Sequence, residues 1–283
     1  MDIPGFVIFS DLDGTLLDHE TYRFDAAQPA LQEIKASQVP LVLSSSKTRA
    51  EIEQVRKQLK NPDPFIVENG GAVYIPKGYF QSEIAFDTQN REDYEIIELG
   101  TPYAKLRRVL LEIKHETGLP FTGFGDLEPD DLANITNLPR VQVSLATQRE
   151  YDEPFFIEGS VSDIAQQQIE KIVADAGLKL TKGGRFYHLT GNNDKGVAVQ
   201  ILVSLFRNEC QNDFEVVGIG DSLNDLPMLK LVDHPILVQK PDGTYDELVQ
   251  SEIKPILANG VGPQGWNEAI LRILMARRRS TEK

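Results

Sequence analysis

The stretch Phe6-Val7-Ile8-Phe9-Ser10-Asp11-Leu12-Asp13-Gly14 sets the architecture. Four consecutive apolar residues leave no polar side for solvent, as in a strand buried on both faces of a parallel sheet. The strand then runs straight into two acids and a glycine. The same pattern recurs along the chain. Residues 39–43 are a second apolar run, closed by Ser44-Ser45-Ser46-Lys47. Phe65-Ile66-Val67 is a third, closed by Glu68-Asn69-Gly70-Gly71, and Val216-Val217-Gly218-Ile219 leads into Gly220-Asp221. Helical stretches lie between them, over residues 29–37, from about Asp194-Lys195-Gly196, and from Thr48-Arg49-Ala50-Glu51. The last of these is a capping box, with Ile52, Val55 and Leu59 sharing one face of its helix. Alternating strands and helices, with polar residues after each strand, predict an α/β fold whose ligands sit beyond the strand ends.

The alternation changes after about residue 85 and resumes near residue 189. The chain is therefore read as one domain interrupted by another, with residues 1–85 and 189–283 forming the core and 86–188 an inserted α/β domain. Within the insert, helices are expected over 102–115 and 163–176, and strands at Gln142-Val143-Ser144-Leu145 and Phe155-Phe156-Ile157. A short helix over 226–231, the apolar Ile236-Leu237-Val238 and a helix after Pro263 close the chain. Its Arg277-Arg278-Arg279 run reads as a solvated tail favourable to a helix carboxyl end.

Acidic residues outnumber basic ones 43 to 29 over the 283 residues, a formal charge of −14. So negative a surface repels phosphate backbones and anionic lipid, which argues against nucleic-acid and membrane partners. An anionic substrate must be met by a local positive site. The single Cys210 excludes an intramolecular disulfide, and no apolar stretch approaches membrane-spanning length. A soluble, cytoplasmic protein is expected.

Four polar clusters carry the chemistry. Asp11 and Asp13 bracket one residue, and such a pair can hold a divalent cation while one oxygen attacks an electrophile. It can equally be a turn after a strand. A calcium hand fails, because Leu16 and Tyr22 stand where its glycine and glutamate belong. The serines before Lys47 can bind phosphate oxygens or simply cap the helix. Lys195, in the first turn of its helix, adds an ammonium to the positive end of the dipole. Gly218-Ile219-Gly220-Asp221-Ser222-Leu223 begins like a dinucleotide fingerprint, but Leu223 replaces the third glycine, and Asp221 and Asp225 offer two further carboxylates instead. Four scattered histidines and a lone cysteine do not form a zinc site.

Taken together, Asp11-Leu12-Asp13-Gly14-Thr15-Leu16-Leu17, the Ser45 strand end, Lys195 and Gly220-Asp221-Ser222-Leu223-Asn224-Asp225 resemble the four motifs of haloacid-dehalogenase (HAD) superfamily phosphatases. Ser45-Ser46-Lys47-Thr48-Arg49-Ala50-Glu51, Glu68-Asn69-Gly70-Gly71, Arg149-Glu150-Tyr151-Asp152-Glu153-Pro154, Gly184-Arg185-Phe186-Tyr187-His188 and Gly262-Pro263-Gln264-Gly265-Trp266 narrow the likeness to the mannosyl-3-phosphoglycerate phosphatases. The resemblance implies a Rossmann-like parallel-sheet core with an inserted α/β cap, and a magnesium-dependent phosphatase. Mannosyl-3-phosphoglycerate, and with it the glucosyl analogue, is the implied small-molecule substrate. It implies Asp11 as nucleophile and Asp13 as acid and base. Magnesium would be held by Asp11, Asp13 through its main-chain carbonyl, Asp221 and Asp225, and phosphoryl oxygens by Ser45 and Lys195. Lys47, Arg149, Glu153, Arg185 and His188 are the candidates for the rest of the substrate, the two arginines for its carboxylate and Glu153 and His188 for sugar hydroxyls. A sucrose-phosphate or other sugar-phosphate phosphatase, a sugar phosphomutase on the same core, and a non-catalytic binding protein are the competing readings. The last should have lost a motif residue, and none is lost.

Overall fold

The computed structural model describes residues 5–136, 139–159, 161–183, 186–210 and 212–281. Strand β1 (Phe6–Ser10) is buried along its whole length because helices cover both faces of its sheet. Phe6 and Ile8 pack with Ala30 and Ile34 of α1 (Gln28–Ala36) and with Trp266 and Ile270. Val7 and Phe9 turn the other way, against Ala198, Val199 and Leu202. A strand buried on both faces cannot show a polar alternation, hence the continuous apolar run.

The chain continues through β2 (Leu41–Ser44), α2 (Arg49–Leu59), β3 (Phe65–Val67), β4 (Ala72–Pro76), β5 (Gln89–Arg91) and β6 (Tyr94–Glu98). The expected capping box opens α2: the Thr48 hydroxyl accepts from the Glu51 N–H at 3.2 Å, and the Glu51 carboxylate accepts from the Thr48 N–H at 2.9 Å. Then follow α3 (Tyr103–Thr117), β7 (Phe121–Gly123), α4 (Pro129–Thr136), α5 (Arg140–Ala146), β8 (Asp152–Ile157), α6 (Asp163–Asp175), β9 (Lys179–Gly183) and β10 (Phe186–Thr190). The last part runs through α7 (Lys195–Glu209), β11 (Glu215–Gly220), α8 (Leu226–Leu229), β12 (His234–Gln239), α9 (Glu247–Glu252), β13 (Ile256–Val261) and α10 (Pro263–Thr281).

Among the described residues these strands form a nine-stranded sheet, in the order β13-β12-β11-β1-β2-β3-β4-β6-β5, and a four-stranded one, β7-β8-β10-β9. The large sheet is parallel from β13 to β3 and antiparallel beyond. The chain leaves β1 toward β2 on one flank and returns to the other flank with β11. That reversal opens a crevice at the carboxyl ends of β1, β2 and β11, the place where open α/β sheets bind ligands.

Two expectations need correction. Residues 142–145 are not a strand but lie inside helix α5. The alternation of Val141, Val143 and Leu145 imitates a β pattern, yet Val141 is 68% exposed while Val143 and Ala146, three apart, turn inward beside α4. Tertiary packing overrides the local β preference of valine here. The boundary at residue 85 also falls too early, because β5 and β6 pair onto β4 at the edge of the large sheet. The small sheet takes its strands from between Phe121 and Thr190. No helix among the described residues is long and apolar enough to cross a membrane.

Candidate active site

Asp11 follows β1 directly, its N–H donating to the Ile219 carbonyl of β11 at 2.9 Å. Its own carbonyl accepts from the Ser10 hydroxyl at 2.7 Å, and that hydroxyl accepts from the buried indole N–H of Trp266 at 2.9 Å. The backbone carrying the acid is thus fixed from two directions. Lys195, completely enclosed at the start of α7, donates to Asp11 Oδ1 at 2.6 Å and to Asp225 Oδ1 at 2.6 Å. Burial by itself would lower the pKa of that ammonium, but Asp11 and Asp225 outweigh it and hold the pKa above the usual lysine range.

Asp225 is tied down at its other oxygen too, which accepts from the N–H groups of Asp221 and Ser222 at 3.1 and 3.3 Å. Asp11, Asp221 and Asp225 each bring a carboxylate oxygen within 4.8 Å of the others. Burial first, and then the neighbouring carboxylates, pushes the Asp221 and Asp225 carboxyls above their ordinary range. One ammonium cannot balance three carboxylates, so the cluster carries an excess of negative charge that a cation would relieve. An all-oxygen donor set of this spacing fits a hard divalent metal. Gly14 completes the cradle. Its φ is +74°, and a Cβ there would stand 2.8 Å from Asp221 Oδ2, so a side chain at this position would crowd that carboxylate.

Asp13 lies on the same turn, half-buried, with Lys47 Nζ 2.9 Å from its Oδ2. Burial raises the Asp13 carboxyl even though Lys47 pulls it down. Lys47 also faces Glu51 at 3.6 Å and lies over the Tyr22 ring. The three serines separate cleanly. Ser44 ends β2 with its hydroxyl buried, Ser45 follows with its Oγ accepting from the Lys47 N–H at 3.2 Å, and Ser46 offers its carbonyl to Arg149. Ser45 and Ser46 both lie between the strand end and the helix start, and of the two hydroxyls it is that of Ser45 that accepts from the Lys47 N–H.

The cap residues divide by strand alternation. In the β8–β10 pair, Thr190 stands opposite Asp152, Leu189 opposite Glu153 and His188 opposite Pro154. Asp152 and His188 therefore share one face and Glu153 the other. Glu153 is fully enclosed against α3, its carboxylate paired with Arg107 at 2.6 Å, so the structure does not bring it to the site. Arg149 and His188 converge instead on Asp152, which is wholly buried. Arg149 also donates to Ser46 O at 3.0 Å and Ala146 O at 2.9 Å, and the Thr48 hydroxyl donates to Leu145 O at 2.9 Å. These bonds place residues 145–152 directly over the Ser45–Lys47 loop. Arg185 lies outside the described residues.

Two buried acids with partners near these residues carry no assignment from sequence. Asp152 is one. The other is Glu68, buried at the end of β3, whose two oxygens accept from the N–H groups of Glu150 and Tyr151 at 2.9 and 2.8 Å. It ties the segment that leads into β8 to the end of β3 in the core. Burial above all pushes the Glu68 carboxyl up to about 7, against the opposing pull of Arg149. Glu68 and Asn69 both adopt left-handed φ, 45° and 54°, and Gly70 follows at 90°. The available signal is an acid in a strand-closing position, as Asp11 and Asp221 also are.

A haloacid dehalogenase-like hydrolase family model matches residues 8–104. A glucosyl-3-phosphoglycerate/mannosyl-3-phosphoglycerate phosphatase of Methanococcoides burtonii is 47% identical over 269 residues, 95% of this chain and 97% of the relative. One of the same description from Persephonella marina is 45% identical over the same shares, and a mannosyl-3-phosphoglycerate phosphatase of Pyrococcus horikoshii is 38% identical over 82% and 90%. Among solved structures, a HAD-superfamily phosphatase from Bacteroides thetaiotaomicron superposes with a TM-score of 0.66 at 18% identity, covering 96% of this chain and 95% of its own. That likeness concerns the fold alone. With the fold, the acid cluster and these near full-length identities in agreement, the chain belongs to the haloacid dehalogenase-like hydrolases, in the family of glucosyl- and mannosyl-3-phosphoglycerate phosphatases.

Proposed function

We propose that the chain hydrolyses mannosyl-3-phosphoglycerate and glucosyl-3-phosphoglycerate to the glycosylglycerate and phosphate, with Mg²⁺ at the acid cluster. The observation that carries this reading is the convergence of Asp11, Asp13, Lys195, Asp221 and Asp225 at one end of the sheet. The relatives supply the substrate class by their names.

Asp11 is the proposed nucleophile. One of its oxygens is engaged by Lys195, and the other is available to phosphorus. In the first step an Asp11 oxygen–phosphorus bond forms, the phosphorus–glycerate oxygen bond breaks, and Asp13 gives its proton to the departing oxygen. A carboxyl held above its usual pKa suits that donor role. In the second step Asp13 takes a proton from water as the water oxygen bonds to phosphorus and the Asp11–phosphorus link opens. Lys195 has a third N–H beyond the two given to carboxylates, and with the Ser45 hydroxyl it would hold phosphoryl oxygens. Asp11, Asp221, Asp225 and the Asp13 carbonyl would hold Mg²⁺, which supplies charge neutralisation at the transferring group. The sugar–glycerate end would lie between Lys47 on the core and Arg149 and His188 on the cap.

The test is phosphate release with magnesium over glycosyl phosphoglycerates, sucrose phosphate and simple hexose phosphates. The glycosyl phosphoglycerates should lead. A preference for sucrose phosphate would overturn the substrate assignment and leave the core chemistry standing.

A further inference from the structure

We propose that Asp152 is a positioning residue that makes Arg149 and His188 a matched donor–acceptor pair for sugar hydroxyls. The inference rests on the phosphatase reading above and names the chemistry of its cap side. Asp152 accepts from Arg149 Nη1 at 3.3 Å, and His188 Nδ1 lies 2.9 Å from its Oδ2 and 3.2 Å from its Oδ1. A carboxylate has no proton of its own to share, so Nδ1 must carry the hydrogen in that contact. In the neutral imidazole the opposite nitrogen, Nε2, then presents a lone pair.

Arg149 is constrained in the same way. Nε and Nη1 are committed to Ala146, Ser46 and Asp152, and among the described residues neither Arg149 Nη2 nor His188 Nε2 makes a hydrogen bond. One buried carboxylate thus presents two N–H donors and one acceptor, next to the loop proposed to bind phosphate. A hydroxyl both donates and accepts, and can satisfy both members of the pair. A second carboxylate cannot, because the Nε2 lone pair would oppose it. Charge points the same way. The Arg149 cation is already met by Asp152, with Glu51, Glu68 and Glu153 also in its field, so no surplus positive charge remains for an anion. The carboxylate of a glycosyl phosphoglycerate must therefore be recognised elsewhere.

Two experiments decide this. Nitrogen-15 NMR of the four histidines, with His188→Gln to assign the signal, should show His188 in the Nδ1–H form with Nε2 unprotonated at assay pH. A proton on Nε2 would overturn the positioning role. In kinetics, Asp152→Asn should raise KM for mannosyl-3-phosphoglycerate by about ten- to a hundredfold, the worth of a charged hydrogen bond, with kcat changed less than about threefold. The inhibition constant of 3-phosphoglycerate, which has the carboxylate but no sugar, should stay within about twofold of wild type. His188→Gln should show the same split, so the test survives if the Asp152 variant does not fold. Equal weakening of both compounds, or no change in either, would overturn the proposal. A wild-type enzyme that releases no phosphate from the glycosylated compound would instead overturn the function reading, and with it the ligand named here.

Discussion

Lys195 Nζ sits 2.6 Å from Asp11 and 2.6 Å from Asp225, joining residues 184 and 30 positions away in the chain within one buried ion cluster. The ammonium offsets only part of the charge of the three clustered carboxylates, and the remainder is what a divalent cation would neutralise before a doubly charged phosphoryl group is accepted. The positive charge is placed at the one point where it also restrains the proposed nucleophile. Replacing Lys195 by Met should leave two buried carboxylates unpaired and cost about 3–5 kcal/mol of stability. Thermal unfolding would check it, and magnesium should recover part of the loss by taking over the charge. A variant as stable as wild type without metal would contradict the pairing.

Asp11→Asn should abolish phosphate release and leave the fold unchanged. An amide of nearly the same shape keeps a contact to Lys195 but cannot attack phosphorus. Circular dichroism together with a phosphate assay tests both halves, and near-wild-type turnover would remove Asp11 from the nucleophile role.

Asp13→Asn should slow turnover of the glycosyl phosphoglycerates by about 10²–10⁴-fold. An aryl phosphate, whose leaving group needs no proton, should suffer less in the first step. Rapid-mixing measurements of aryl alcohol release separate that step from dephosphorylation. Equal losses in the first step on both substrates would count against Asp13 as the leaving-group acid.

Chelation should stop activity and magnesium should restore it, while Asp221→Ala should demand far more magnesium for the same rate. The proposed donors are all oxygens, so zinc should be a poor replacement. Titrating rate against metal concentration for the two proteins is the measurement, and full activity after exhaustive chelation would end the idea.

Glu68 should make stability depend on pH with a definite sign. Its carboxyl is pushed from an ordinary 4.5 up to about 7 in the folded protein, so between those values the folded chain holds a proton that the unfolded chain has lost. This group's contribution to stability therefore falls as pH rises through that window, by at most about 3 kcal/mol at about 1.4 kcal/mol per unit. Glu68→Gln lacks the effect. The stability difference, wild type minus variant, should shrink from pH 4.5 to 7 and level off above. A difference that is flat across the window would exclude the buried carboxyl as its source.

Much of the core is legible in the amino-acid sequence because its signals are local. A run such as Phe6 to Phe9 is apolar without interruption only where both faces are covered, and strand ends in such sheets are where polar residues gather. Asp11, Ser45 and Asp221 are therefore legible by position after a strand, Lys195 by its place at a helix start, and the Thr48–Glu51 cap by spacing. The inserted cap is not legible in the same way. Val141, Val143 and Leu145 alternate like a strand but lie in a helix because the packing partner of Val143 is Leu132, on another helix. Glu153 and Asp152 are adjacent acids, and nothing local says that one faces Arg107 and α3 while the other faces His188. That choice depends on the register of β8 against β10, in which a shift of one residue would exchange the two faces. Likewise the bonds from Glu68 to Glu150 and Tyr151 span more than eighty residues. The order of residues is enough to specify the parallel core and the acids at its strand ends, since solvent exclusion leaves a periodic mark on the chain. Which cap side chains reach the site is settled only in the folded protein, because strand register and the seating of one sheet on another leave no such mark.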